Sequence, residues 1–276
     1  LAFWARRLAP GADGLDAAAA ALLVALASPV FFLFQTVAYP DHLLVALVLA
    51  AAHCFALFVG NLERPAPRHG LLYLAAAFIG LAGLAKYNAV FAGLGFAAWF
   101  LLSPRGRRLL ASPHPWLAGL LAAAMLSPLL VWNIQNGFVS FRFHLSGRLD
   151  AGFDAGRFLG NLASFLALSV LFVSPFLLAP LWRFVRGRVD GAAKPFAAFG
   201  APALILSFAL FTALTLRTQV YYYWNIAALA LFLPAAIACF RSVRGLKAHA
   251  FYGALAAAVV TFNYAALPVT APFGGR

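Results

Sequence analysis

Basic residues in this chain occur in clusters that separate long apolar runs, and this pattern limits the folds available to it. Hydrophobic residues make up 64% of the chain and charged residues only 10%. Such clustering in every second gap is typical of the cytoplasmic loops of a protein that crosses a membrane many times. Five gaps hold 14 of the 20 Lys and Arg residues: Arg6 and Arg7; Arg64 and Arg68; Arg105, Arg107 and Arg108; Arg183, Arg186, Arg188 and Lys194; Arg241, Arg244 and Lys247.

The same pattern excludes two other classes of protein. A soluble domain is incompatible with apolar runs of roughly 17–25 residues, since about 20 apolar residues span the hydrocarbon core of a bilayer. The net charge of +13 does not indicate nucleic-acid binding, because the cations lie where cytoplasmic loops meet anionic lipid headgroups. Cys54 and Cys239 lie within apolar runs, so we expect two buried thiols and no disulfide.

We therefore predict an all-α fold, a polytopic transmembrane helical bundle that forms a single domain over residues 1–276. Each span must be a helix, because lipid offers no partner to unpaired backbone groups. The sequence contains nine apolar segments that we expect to be helices: 16–37, 43–60, 71–85, 89–102, 116–133, 158–182, 196–216, 226–240 and 250–268.

The stretch 71–102 is apolar except for three residues at its middle, Lys86, Tyr87 and Asn88. As one helix it would be about 48 Å long, which is too long for one crossing without strong tilt. One crossing would also place Arg68 and Arg105 on opposite sides of the membrane. We therefore predict two short helices that meet at Lys86.

This arrangement assigns every polar segment to one of two faces. The five basic gaps share the inner face. The outer face collects residues 38–42, 86–88, 134–157 and 217–225, together with the C-terminal tail. Polar residues that act together are expected among these outer segments.

Two charged residues of the outer face are the first candidates for a site. Asp41 follows Pro40 at the start of an apolar segment, so it is either a helix-capping carboxylate, an active-site carboxylate, or both. Lys86 lies between two apolar segments, where an ammonium group needs a partner or water. Lys86 either extends to the membrane interface or faces a phosphate or carboxylate.

Other outer-face residues have two interpretations each. Arg142 and His144 alternate with phenylalanines, as on an amphipathic strand or an interfacial segment, and either anchor the chain or place Arg142 at a phosphate. Tyr223 and Trp224 belong to an aromatic cluster that is either an interfacial belt or a platform for a sugar ring. His42, next to Asp41, is the one histidine that could join a metal site.

An ordered series of short motifs resembles bacterial members of glycosyltransferase family 39. That family belongs with the protein O-mannosyltransferases and the lipid A aminoarabinose transferases to the C-type glycosyltransferase superfamily. The motifs cover roughly residues 38–225 and are Ala38-Tyr39-Pro40-Asp41, Gly83-Leu84-Ala85-Lys86-Tyr87, Leu102-Ser103-Pro104-Arg105-Gly106-Arg107-Arg108, Ser127-Pro128-Leu129-Leu130-Val131-Trp132-Asn133, Asn136-Gly137-Phe138-Val139-Ser140-Phe141-Arg142-Phe143 and Tyr223-Trp224-Asn225.

The resemblance implies a membrane glycosyltransferase that takes a sugar from a polyprenyl-phosphate donor. The sugar would pass, with inversion, to a hydroxyl of a lipid, glycan or protein on the outer, periplasmic face of the bacterial inner (plasma) membrane. Membrane lipids are expected partners and nucleic acid is not. No cofactor is required by the motifs, although the resemblance leaves a divalent cation possible.

The resemblance also assigns roles to individual residues. Asp41 matches the family's second acidic position, which organises the acceptor side or a divalent cation. Lys86 matches the lysine near the donor phosphate, and Arg142 would be a further cation for that phosphate. Tyr87, Tyr223, Trp224, His42 and His144 are expected substrate contacts.

The general base of such enzymes is an Asp in the first outer loop, which follows the first membrane helix. Residues Leu1–Leu8 have the pattern of a helix end followed by a basic loop. We therefore expect that helix and that loop to be missing, and the chain to be inactive by itself. Two other functions stay open: a transporter or flippase of a lipid-linked or anionic substrate, and a non-catalytic membrane scaffold.

Overall fold

The structure is a computed structural model that describes residues 1, 3–4, 7, 14–36, 39–143 and 152–265. These ranges are predominantly helical and contain no β-strand, which confirms the all-α prediction for them. The helices are α1 (Gly14–Leu26), α2 (Pro29–Thr36), α3 (Pro40–Asn61), α4 (His69–Ala85), α5 (Val90–Leu102), α6 (Pro104–Leu109), α7 (His114–Met125), α8 (Ser127–Gln135), α9 (Ala155–Val173), α10 (Leu178–Val185), α11 (Lys194–Leu214), α12 (Ile226–Ala230), α13 (Ala236–Cys239) and α14 (Val243–Ala265).

The number of membrane spans differs from the prediction. Within the described ranges, α3, α9, α11 and α14 are long and apolar enough to cross a bilayer. Two bent pairs raise the number to six, namely α7 with α8, bent by 49°, and the segment 222–239, bent by 60°. The expected nine spans are therefore not confirmed, although the chain has the helices of a multi-pass membrane protein.

The predicted pair of short helices is present and forms a hairpin. Helix α4 ends at Ala85, the next residue, Lys86, has an extended backbone (φ −163°, ψ 137°), and α5 follows after one 3₁₀ turn. A Cβ at Gly93 would lie 3.4 Å from Cγ2 of Ile79, and each of these residues is seven positions from Lys86. At the other end of the hairpin Arg105 donates to Glu63 at 2.6 Å. Lys86 and the two basic gaps that flank this hairpin therefore lie at its opposite ends.

Four of the predicted single helices are interrupted near a proline, and these predictions were wrong in that respect. Proline lacks the N–H that continues a helical ladder, and it disfavours helical geometry in the residue before it. The interruptions reduce the length of straight spans and leave backbone carbonyls that need other partners. They occur in 16–37 before Pro29, in 116–133 at Pro128, in 158–182 before Pro175 and in 226–240 near Pro234.

One buried histidine connects two of these interruptions. His249 of α14 lies 3.0 Å from the carbonyl oxygen of Val24 through Nε2, and 2.9 Å from Oγ of Ser174 through Nδ1. A carbonyl can only accept, so Nε2 carries the proton and Nδ1 accepts from the serine hydroxyl. Ser174 has φ +97°, a strained value for a residue with a side chain. The histidine therefore holds together α1, the end of α9 and α14.

The core is built around the antiparallel crossing of α5 and α11. Gly95 meets the carbonyl oxygen of Phe199 and the side chain of Ala203, so the two backbones approach as closely as glycine permits. Further along, the rings of Phe91 and Phe211 have centroids 5.2 Å apart. Helix α12 is fully buried beside this crossing. The packing brings the start of α5 and the end of α11 to the Lys86 end of the bundle.

Candidate functional site

A buried ion pair joins Asp41 to Lys86. The ammonium nitrogen of Lys86 donates to both carboxylate oxygens, at 2.7 and 2.8 Å. Asp41 is fully buried, whereas 22% of the lysine side chain is exposed. The cap of α3 is Tyr39, so Asp41 lies in the first turn, where the helix dipole favours a negative charge, and its carboxylate faces the lysine. Two residues 45 positions apart, both of which the sequence assigns to the outer face, are thus in direct contact.

The break between α4 and α5 positions the lysine. The backbone N–H of Lys86 still bonds to the carbonyl of Ala82, and its own carbonyl accepts from the N–H of Ala89. Asn88 donates to the carbonyl oxygen of Trp224 at 2.8 Å. This bond fixes the break against the segment that begins α12, and the extended backbone of Lys86 turns its side chain out of the helical path.

An aromatic ring provides a second partner for the ammonium group. The nitrogen of Lys86 lies 4.7 Å from the ring centroid of Tyr223, within the range of a cation–π interaction. Tyr221 and Trp224 have ring centroids 5.8 Å apart, so aromatic groups cluster at this end of the bundle. The cluster supports the lysine at the place where it meets a cavity.

A cavity of about 890 Å³ opens beside Lys86. Its polar lining is concentrated around the break and includes Lys86, Asn88 and Thr218. Its walls are apolar and come from α4, α5, α8, α11 and the junction of α7 with α8, including Ile79, Leu94, Leu126, Leu129, Leu130, Phe211 and Leu214. A site with one cation at the rim and hydrocarbon walls suits an amphiphile that has an anionic headgroup.

Three of the expected substrate contacts line this cavity: Tyr87, Tyr223 and Trp224. His42 is next to Asp41 in sequence but is exposed and does not belong to the lining. The ring of Tyr87 stacks on that of Phe141, with centroids 6.1 Å apart. His144 lies outside the described residues.

The expected position of Arg142 in a shared pocket is not reproduced. Phe141 lines the cavity, whereas Arg142 is exposed and outside the lining. Residues 139–143 are helical, so the alternation of phenylalanines with polar residues does not mark a strand here. On a helix, neighbouring residues point about 100° apart, which explains why one residue contacts the cavity and the next does not.

Sequence reasoning missed several residues of the site. Asn88 and Thr218 line the cavity. Asn225 follows Trp224 in sequence but lies outside the lining; it is fully buried, and its side-chain oxygen accepts from Ser207. Each belongs to a predicted outer segment or follows one of the quoted motifs. Position in those segments was therefore the available signal, but it did not show which side chains turn inward.

The site does not fit a divalent cation. Both oxygens of Asp41 already bond to an ammonium group, and a metal at the same oxygens would bring two positive charges together. Among the described residues, no three His, Cys, Asp or Glu side chains come together as a metal site.

A known protein family matches part of the chain. Residues 12–132 match the family model described as dolichyl-phosphate-mannose-protein mannosyltransferase. The matched stretch includes both Asp41 and Lys86. Neither a curated protein nor a solved structure matches the chain.

Proposed function

We propose that this chain, whose residues 12–132 match the family model of the dolichyl-phosphate-mannose-protein mannosyltransferases, is part of a membrane enzyme that transfers a sugar from a polyprenyl-phosphate donor to a hydroxyl acceptor. The family supports a membrane glycosyltransferase of the mannosyltransferase type, with a lipid-linked donor. We further propose that the donor lipid is a polyprenyl phosphate and that the transfer inverts the anomeric carbon. We place the reaction on the outer face of the bacterial inner membrane. The acceptor is a lipid, a glycan or a protein.

The observation that carries the proposal is the ammonium of Lys86 at the rim of an apolar cavity. The first part of a lipid tail fits between the apolar walls, and the rest stays in the bilayer. The headgroup phosphate then lies beside Lys86. Ligand cavities of this kind commonly measure about 300–1,000 Å³, and the volume of about 890 Å³ is in that range.

The chemistry of transfer agrees with this placement. The acceptor hydroxyl attacks the anomeric carbon and gives its proton to a carboxylate base. The bond from that carbon to the phosphate oxygen breaks, and its electron pair leaves with the phosphate. A cation at the phosphate stabilises the charge that accumulates there, which is the role of Lys86. Arg142, if it turns toward the headgroup, adds a second cation. A single displacement of this type inverts the anomeric carbon.

Asp41 has its role on the acceptor side. A carboxylate close to the reacting hydroxyl accepts its hydrogen bond and orients it. Tyr87, Tyr223 and Trp224 line the place where the sugar would lie, and His42 and His144 are proposed contacts of the acceptor. The outer face is supported by the basic gaps at the other end of the bundle.

The test is transfer of sugar from a radiolabelled polyprenyl-phosphate sugar by the purified full-length protein in lipid nanodiscs. Lys86→Gln should lower kcat by about 10²-fold or more, the usual effect of removing a group that stabilises transition-state charge. The matched control is Lys194→Gln, the same change at the exposed start of α11 at the basic end. The double variant Asp41→Asn/Lys86→Gln removes the unpaired carboxylate and should fold without recovering transfer.

Two outcomes would contradict the proposal. If Lys86→Gln transfers sugar as fast as Lys194→Gln does, Lys86 does not stabilise the donor phosphate. Absence of transfer by the unchanged full-length protein, with every polyprenyl-phosphate sugar offered, would exclude the proposed enzymatic function.

A transporter or flippase of a lipid-linked or anionic substrate is the second candidate. The observation in its favour is the pair of bent spans, α7 with α8 and the segment 222–239, because transporters commonly use interrupted helices. Movement of a fluorescent polyprenyl phosphate across proteoliposomes, without any sugar transfer, is the result that would favour it.

A further inference from the structure

In the structure the cation that the proposed function needs, Lys86, is already bonded to Asp41. An ammonium group has three N–H donors, and Lys86 gives two of them to Asp41. In this arrangement the pair has no net charge. A donor phosphate that approaches Lys86 is therefore attracted by the lysine and repelled by a carboxylate less than 3 Å from the same nitrogen.

The two members of the pair differ in how they face the cavity. Lys86 lines the cavity and is partly exposed, whereas Asp41 is fully buried and outside the lining. An anion that enters the cavity thus meets the ammonium and not the carboxylate. The ring of Tyr223 keeps the ammonium at the rim when it turns from one anion to the other.

We propose that Asp41 competes with the donor phosphate for the ammonium group of Lys86, and that the bound phosphate displaces the carboxylate from it. This inference rests on the proposed function and adds an order of events to it. Binding of the phosphate releases a carboxylate oxygen, and that oxygen then accepts the hydrogen bond of the acceptor hydroxyl. The carboxylate can therefore bind the acceptor hydroxyl only after the donor has bound. In the empty enzyme both of its oxygens are bonded to Lys86, so neither water nor the acceptor can bind there.

The experiment measures binding and does not depend on transfer. Tritiated geranylgeranyl phosphate and the uncharged alcohol geranylgeraniol have the same tail and are titrated into the purified chain in phosphatidylcholine nanodiscs. The variants are Asp41→Asn, Asp41→Glu and Lys86→Gln. The matched control is Asp190→Asn, the same change at an exposed position at the basic end.

Asp41→Asn should bind the phosphate at least tenfold more tightly than the unchanged chain, a difference of about 1.4 kcal/mol. It should bind the alcohol with unchanged affinity, because no competitor is removed for an uncharged headgroup. Asp41→Glu and Asp190→Asn should bind both probes like the unchanged chain. Lys86→Gln should lose the preference for phosphate over alcohol.

The outcomes separate the two proposals. If the unchanged chain shows no preference for phosphate, or Lys86→Gln keeps it, the proposed donor site is wrong. If that preference depends on Lys86 but Asp41→Asn binds the phosphate equally or more weakly, Asp41 supports the lysine and the competition is refuted.

A measurement on the unchanged chain covers the case in which Asp41→Asn does not fold. Infrared difference spectra of protein labelled with ¹³C-aspartate should show a shifted carboxylate band when the phosphate is added, and none with the alcohol. Identical spectra with both probes would overturn the inference.

Discussion

Replacing Gly95 by alanine tests whether the crossing of α5 and α11 controls both the stability and the cavity. The added Cβ would meet the carbonyl oxygen of Phe199 and would lie 2.8 Å from Cβ of Ala203. Carbon atoms pack favourably at about 3.5–4.0 Å, so the helices must separate by roughly 1 Å. Backbone atoms cannot rotate away as the end of a long side chain can.

The expected cost follows from this overlap. Overpacking of this kind destabilises by about 1–3 kcal/mol, which exceeds the gain of up to about 1 kcal/mol from replacing a helical glycine by alanine. Gly119 is the matched control, because it is also helical and a Cβ there would meet nothing within 4 Å. Gly119→Ala should therefore leave the stability unchanged or raise it.

The assay is unfolding of the purified full-length protein by SDS in mixed micelles, followed by sugar transfer in nanodiscs. Because α5 and α11 both line the cavity, Gly95→Ala should also slow transfer at least tenfold, while Gly119→Ala keeps the original rate. Equal stability of the two variants would refute the close contact of the helices. A destabilised Gly95→Ala with normal transfer would show that the crossing does not set the cavity.

Three further predictions concern the ion pair, the break after α9 and the topology. Lys86→Gln should lower the free energy of unfolding by about 3–5 kcal/mol, since it leaves the buried carboxylate of Asp41 unpaired. Asp41→Asn should lower it clearly less, because the lysine is partly exposed; equal losses in an SDS titration would contradict this. Ser174→Ala should be more destabilising than Ser174→Gly. Both variants lose the hydroxyl, but only glycine relieves about 1 kcal/mol of backbone strain at φ +97°. The reverse order in the same titration would show that the backbone of Ser174 is not strained. A cysteine at Arg108 should react with an impermeant maleimide only in opened cells and one at Asn136 in intact cells, against a low background from two buried native thiols; labelling of both in intact cells would overturn the topology.

Much of the fold could be predicted because a membrane span is visible in the sequence as a run of apolar residues. The apolar runs gave the helical segments, and Lys86 was recognised as a break because a charge at the middle of 71–102 is costly in lipid. The prolines that interrupt four segments were visible too. They were not assigned to breaks, because a proline in a membrane helix is tolerated or disruptive depending on its neighbours.

The site was predicted less completely. Asp41 and Lys86 were placed on one face by counting spans, and the structure brings them into contact. Arg142 was placed with them by the same count, but it lies outside the cavity lining. Face assignment gives the height of a residue in the membrane and not the direction of its side chain.

The sequence by itself therefore determined that this chain is a multi-helical membrane protein, that Lys86 separates two short helices, and that the basic gaps lie away from it. These properties depend on the cost of placing charges and backbone groups in lipid, which each segment feels independently. The tertiary structure alone decided that the lysine pairs with a fully buried carboxylate and opens onto an apolar cavity. Those contacts depend on how closely α5 and α11 pack at Gly95, and on the rotation of each helix, neither of which is fixed by any one segment.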